Sequence, residues 1–130
     1  MKSTLVAWLF DLAAWLPLRA LHLFGAGLGW LTYILSGEYA ARLRDNLGHG
    51  WTNRTTEEFN RALRANIGEM GKSISELPWI WRRPLDKVVF SVQSVHGLEH
   101  FTAARQLGRG VIVLTPHLGS FEIVGLYVAI

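Results

Sequence analysis

Hydrophobic positions are spread unevenly along the chain, and the first stretch is the most apolar. Apart from Lys2, residues 1–37 carry only Asp11 and Arg19 as formal charges, and Ala20 to Gly37 are 18 residues with none. A helix that crosses the hydrocarbon core needs ~20 mainly apolar residues, so this run is just long enough if its flanks help. Pro17 breaks any continuous helix ahead of it. Trp8, Trp15, Trp30 and Tyr33 suit the membrane interface, where an aromatic body sits in lipid and a polar edge meets headgroups. Asp11 and Arg19 are costly at mid-bilayer, by ~2.5–3.5 kcal/mol each. They leave two arrangements open, a short span starting after Arg19 or a helix lying partly in the interface. A cleaved signal peptide fits poorly, because the apolar run continues past Pro17 with no small-residue cleavage site. A buried core helix is the bland reading of the same run. Residues 1–37 are expected to be an uncleaved membrane anchor.

The pattern then becomes amphipathic. Glu38 to Leu47 reads as a short helix with Tyr39, Ala40, Leu43 and Leu47 on one face, ended by Gly48 and Gly50. Arg42 and Arg44 lie just beyond the apolar run and fit a cytoplasmic flank. Thr55-x-x-Glu58 is a capping-box signature. Behind it Phe59, Leu63, Ile67, Met70, Ile74 and Leu77 recur at steps of three and four, the apolar stripe of a helix that Pro78 stops. Trp79-Ile80-Trp81-Arg82-Arg83-Pro84 mixes aromatics with cations and reads as an interfacial segment or a packed loop. These residues, 38–84, form a helical region.

From Val88 the period changes to two. Val88, Phe90 and Val92 alternate with Val89, Ser91 and Gln93, which predicts a strand. Gly97 to Leu107 reads as a helix, and Gly108-Arg109-Gly110 as the turn after it. Val111-Ile112-Val113-Leu114 is a continuous apolar and β-branched run of the kind found in buried parallel strands. Strand, helix and strand predict a βαβ unit. The expected architecture is therefore α/β: a membrane-associated helix, further helices, and from residue 85 to 130 the start of a mainly parallel or mixed sheet. Two strands are too few for a covered parallel sheet. The chain also stops at Ile130 inside an apolar run without a cap, so it reads as the amino-terminal part of a longer protein with an incomplete catalytic domain.

Composition excludes several classes. Half of the 130 residues are hydrophobic and 18% are charged, which rules out a disordered segment. The chain has no Cys, so disulfide scaffolds and cysteine-ligated metal sites are excluded. Thirteen Lys and Arg against ten Asp and Glu give a net charge of +3, small and scattered. With no zinc-finger or RNA-binding signature, no nucleic-acid partner is expected.

Two groups of residues carry candidate chemistry. The first is Thr115-Pro116-His117-Leu118-Gly119-Ser120-Phe121-Glu122, the loop after the apolar run. Pro116 ends a strand, Gly119 permits a sharp turn, and Ser120 can cap a helix starting at Phe121. Glu122 then falls in the first helical turn, where the dipole favours a carboxylate. Folding back can bring Glu122 to one nitrogen of His117 and leave the other facing a cleft, the arrangement of an oriented general base. A histidine simply satisfied in a core is the alternative. The second group, His96-Gly97-Leu98-Glu99-His100, matches the H-x-x-E-H pattern of one class of zinc peptidase. That site needs both imidazoles on one helical face, and Gly97 at the helix start works against it.

The block from Val95 to Val124 resembles the bacterial lipid A biosynthesis acyltransferases, late lauroyl and myristoyl transferases of the lysophospholipid acyltransferase superfamily. The residues that carry the likeness are Gly97-Leu98-Glu99-His100, Gly108-Arg109-Gly110-Val111-Ile112, and Leu114-Thr115-Pro116-His117-Leu118-Gly119-Ser120-Phe121-Glu122. Arg42-x-x-x-Asn46-Leu47 and the apolar amino end fit as well. The resemblance implies an enzyme of the bacterial inner membrane with its catalytic side facing the cytoplasm. It would move a fatty acyl chain from acyl carrier protein, or a coenzyme A thioester, to a hydroxyl of a lipid A precursor. By the family motif His117 is the general base and Glu122 its orienting partner. The thioester is a co-substrate, and no cofactor or metal is expected. Many members have Asn and Trp where this chain has Ser120 and Phe121, which leaves acyl-chain length and acceptor position open. The alternatives are a related membrane acyltransferase acting on glycerophospholipid and a non-catalytic membrane-bound fragment.

Overall fold

In the computed structural model, residues 2–50 and 55–129 are described. They form helices α1 (Lys2–Ala14), α2 (Leu18–Leu35), α3 (Gly37–Gly50), α4 (Thr56–Ser75), α5 (Leu77–Arg82), α6 (Leu85–Val89), α7 (Leu98–Gln106) and α8 (Phe121–Val128). The chain divides into two compact units, Met1–Arg82 and Arg83–Ile130.

In the first unit α2 packs along α4 more extensively than any other helix pair. Pro17 separates α1 from α2 and leads into the first turn of α2, where its fixed φ of −58° costs nothing and its missing N–H is not needed. On α2 the buried positions are Leu21, Gly25 and Gly29, one every turn. On α4 they are Leu63, Ile67 and Gly71. The helix backbones meet at the glycines: a Cβ on Gly71 would come 2.7 Å from the Gly25 carbonyl carbon and 2.9 Å from the Gly29 nitrogen. Gly25 and Gly29, spaced by four, are what allow this approach. Polar contacts fix the same crossing at one end. Ser75 Oγ donates to the Leu21 carbonyl at 2.8 Å, and His22 Nε2 lies 3.0 Å from Glu76 Oε2. Glu76 is the buried charged residue of the described chain. A charge so placed must be paired, and His22 supplies the partner.

The helix expected behind Thr55 starts as its signature demands. Thr55 Oγ1 accepts from the Glu58 amide, and the Glu58 carboxylate accepts from the Thr55 amide. The stripe on α4 is only partly inward: Leu63 and Ile67 are buried, whereas Met70 and Ile74 are exposed, and Gly71 and Ser75 occupy the packed face instead. The helix of residues 38–47 is longer than its glycines imply. Gly48 and Gly50 are helical within α3, and Tyr39, Ala40, Leu43 and Leu47 form its less exposed face. The aromatic and cationic segment after Pro78 is helical, as α5, with Pro78, Trp79 and Ile80 buried. α1 lies on α5, with Phe10 stacked on Trp81 and Asp11 Oδ1 3.2 Å from Arg82 Nε.

The second unit overturns the expected α/β architecture. The described residues are 75% helical and contain no strand or sheet. Val88 and Val89, expected in the first strand, belong to α6, which begins after Pro84 and faces α8. Val88 is fully buried while Phe90 is exposed, so the alternation marks one inward position on a short helix rather than one face of a strand. Val111–Leu114, expected as a buried strand, makes no ladder: Ile112 and Leu114 are 90% and 91% exposed. A strand is completed only by a neighbour that accepts and donates its backbone hydrogen bonds, and no described residue does so here. The expected βαβ unit reduces to α7 and the Gly108-Arg109-Gly110 turn, where both glycines take positive φ.

Candidate active site

The loop from Thr115 to Ser120 is shaped by local backbone contacts. The Leu118 amide donates to the Pro116 carbonyl at 2.8 Å, closing a tight turn around His117. Gly119 then takes φ +57°, a conformation that side chains with a Cβ rarely adopt. This reversal delivers the chain into α8 at Phe121. Ser120 sits at the helix start without capping it, and its Oγ is buried with no hydrogen-bond partner. The expected cap residue is in place, but its capping bond is not.

His117 is exposed and Glu122 is half-buried in the first turn of α8. The imidazole lies against Phe121, with ring centroids 3.8 Å apart and a 43° tilt. Among the described residues no hydrogen bond or ion pair joins His117 to Glu122. The loop therefore brings the two residues into the same short stretch, with one imidazole face on an aromatic ring and the carboxylate unpaired. His117 is not sealed in a core.

The His96–His100 pair is arranged differently. His96 precedes α7, and Gly97 turns the chain with φ +78° before the helix begins at Leu98. His100 Nε2 is 3.7 Å from Glu99 Oε1, and both side chains are largely exposed. Among the described residues no group of three or more His, Cys, Asp or Glu is placed to hold a metal ion. His96 instead lines an apolar cavity of about 420 Å³ within the second unit. Leu98 and Phe101 of α7 form one part of its wall, and Val113, Ile123 and Tyr127 another. The cavity thus shares its walls with the segments that flank His117 and Glu122.

The model of the bacterial lipid A biosynthesis acyltransferase family matches residues 2–130. The chain belongs to this family. No curated protein and no solved structure gives a match. The family is one of acyltransferases, and the match covers the apolar amino end as well as the His117 loop. Two features of the chain escape a reading of its residues one by one. The contact of His117 with Phe121 is signalled by their spacing of four, but only across a turn whose shape depends on Gly119. The glycine crossing is signalled by Gly25-x-x-x-Gly29 and Gly71-x-x-x-Ser75, small residues at helical spacing within otherwise bulky stretches.

Proposed function

We propose that the protein transfers a fatty acyl chain from an acyl carrier protein or coenzyme A thioester to a hydroxyl of a lipid A precursor, at the cytoplasmic face of the bacterial inner membrane. His117 is the general base and Glu122 its orienting partner. The acceptor hydroxyl gives its proton to His117 as its oxygen attacks the thioester carbonyl. The carbon–sulfur bond breaks, and the departing thiolate takes the proton back from the imidazolium, leaving an ester and a free thiol. For Glu122 to orient the base, the imidazole must rotate off Phe121 towards the carboxylate. Such a pairing fixes the tautomer and stabilises the imidazolium.

The observation that carries this reading is the family match over residues 2–130, joined to an exposed imidazole and a half-buried carboxylate five residues apart on a loop-to-helix turn. The apolar cavity beside that turn supports a hydrocarbon substrate, because its lining offers little to a polar one. In the full-length protein, His117→Ala should lower turnover by ~10²–10⁴-fold. Glu122→Gln should lower it too, with membrane binding kept in both. Undiminished turnover of His117→Ala sinks the base assignment. Faster acylation of a glycerophospholipid than of a lipid A precursor, measured side by side, moves the acceptor to the other lipid class.

A further inference from the structure

We infer that the Met1–Arg82 unit docks on a single leaflet of the bilayer as an in-plane platform, with the outer faces of α1 and α2 in lipid, and that α2 does not cross the membrane. The inference rests on the reading of the protein as a membrane-lipid enzyme, which a spanning α2 would serve equally well.

By length and composition α2 qualifies as a span, with 18 residues and a mean hydropathy of 1.2. At 1.5 Å per residue those 18 residues reach about 27 Å, slightly short of a ~30 Å hydrocarbon core. The packing decides against crossing. Leu21 meets Ser75, Gly25 meets Gly71 and Gly29 meets Ile67, so α4 runs antiparallel beside α2 for more than two turns. By that register Glu69 and Lys72, an ion pair at 2.6 Å, lie level with the middle of α2, and the exposed Arg64 lies level with Thr32. If α2 stood across the bilayer, α4 would carry these charges through the hydrocarbon with it. Charges there are rare and normally face a protein interior or a water-filled cavity, and these face outward.

Laid in the membrane plane, the same pair satisfies both faces. Leu23, Phe24, Ile34 and Leu35 of α2 are 78%, 64%, 71% and 75% exposed. From Ala20 to Leu35 no exposed position of α2 is charged. α1 adds Leu5, Trp8 and Leu12, with Trp15 just beyond its end, all exposed, while Phe10 and Asp11 tie it to α5. Between the helices a groove of about 400 Å³ is lined by Phe24, Leu28, Met70 and Ile74, which explains why two members of the α4 stripe are left uncovered. The occupant indicated by the charges is lipid rather than a second copy. Arg19 lies in the first turn of α2 and Arg42 and Arg44 lie beyond its end in α3, with Arg44 over the Tyr33 ring at 5.5 Å, so the uncharged stretch from Ala20 to Leu35 is bordered by cations and aromatics suited to anionic headgroups.

The absence of cysteine gives a clean background for the test. Arg19→Cys and Glu38→Cys place single thiols at the two ends of α2, both at exposed positions outside the proposed catalytic machinery. The full-length variants, first shown to retain acyl transfer, are treated with a membrane-impermeant maleimide in sealed vesicles of each orientation. The expected result is that both thiols react from the same side of the bilayer and neither from the other. A fluorophore on Leu28→Cys should also be quenched by lipids brominated along their acyl chains. Reaction of the two thiols from opposite sides, or from neither, overturns the in-plane arrangement and leaves the acyltransferase reading standing. An active protein that stays out of the vesicles as a soluble dimer, with no quenching at Leu28, overturns it as well and makes the apolar face a protein interface. Membrane binding with the expected pattern but no acyl transfer in the parent protein would instead remove the enzymatic reading and leave the docking surface.

Discussion

The Met1–Arg82 and Arg83–Ile130 units are built to opposite standards of closure. In the first, helix backbones touch at Gly25, Gly29 and Gly71, two hydrogen-bonded contacts lock one end of the crossing, and Leu21, Leu63, Ile67 and Ile80 are buried. In the second, Val88 is fully enclosed, while Ile112, Leu114 and Leu118 stand in the open beside the His117 loop. The contrast separates two tasks. A unit that holds a position gains from contacts without slack. On the proposed function, a loop that admits both a lipid alcohol and an acyl thioester gains from leaving its imidazole accessible and its carboxylate without a partner among the described residues. Substitutions should therefore act through stability in the first unit and, Val88 apart, through turnover or not at all in the second.

The largest stability effect is expected at Ile67, which is 1% exposed against the α2 crossing. Ile67→Ala should cost ~2–5 kcal/mol, read as a lower denaturation midpoint with an unchanged denaturant slope. A loss below ~1 kcal/mol, the range of an ordinary surface change, would show that the crossing is looser than its geometry. The glycines sharpen the point, because two of them on one helix should respond with opposite signs. Alanine is the better helix former by ~1 kcal/mol at either position. At Gly68 the added Cβ meets only the Ala26 Cβ at 3.9 Å, an ordinary contact, so Gly68→Ala should stabilise by ~0.5–1 kcal/mol. At Gly71 the obstacle is backbone, which cannot rotate away, and Gly71→Ala should destabilise by ~1–3 kcal/mol despite the same propensity gain. Equal responses at the two positions would remove the close approach from the account of the first unit.

Legibility from sequence follows the same division. Helices that rest on local rules were readable: the Thr55–Glu58 capping box, the break at Pro17, the start of α8 at Phe121 and the helix after Gly97 each depend on residues a few positions apart. The faces of α4 were half readable. Period alone places Met70 and Ile74 with Leu63 and Ile67, but the bulk of the partner decides which neighbours are covered, and α2 offers glycines that draw in Gly71 and Ser75. The strands were misread because a strand is a non-local object. Val88–Gln93 and Val111–Leu114 have the composition of strands, and composition cannot supply the second chain segment whose amides complete a ladder. The site is mixed. The helix start at Phe121 with Glu122 in its first turn follows from local rules, but the expected approach of the Glu122 carboxylate to His117 is absent among the described residues, and the imidazole lies instead on Phe121.

The smallest expected effect is the sharpest test of the contrast, since it sits in a residue that looks like core. Ile112 lies in the most β-branched run of the chain, and by composition its replacement with Ser should be as damaging as a change at Ile67. Its side chain is nevertheless 90% exposed, so almost no apolar area returns to water on unfolding that was not already there. Ile112→Ser should then change stability by less than ~0.5 kcal/mol, the range of surface positions away from special features. Removing an exposed apolar group should also raise solubility, read as the protein concentration at which light scattering appears. A loss of ~2 kcal/mol or more, comparable with Ile67→Ala, would mean that Ile112 is covered in the working protein, and the two units would no longer differ in the way their burial indicates.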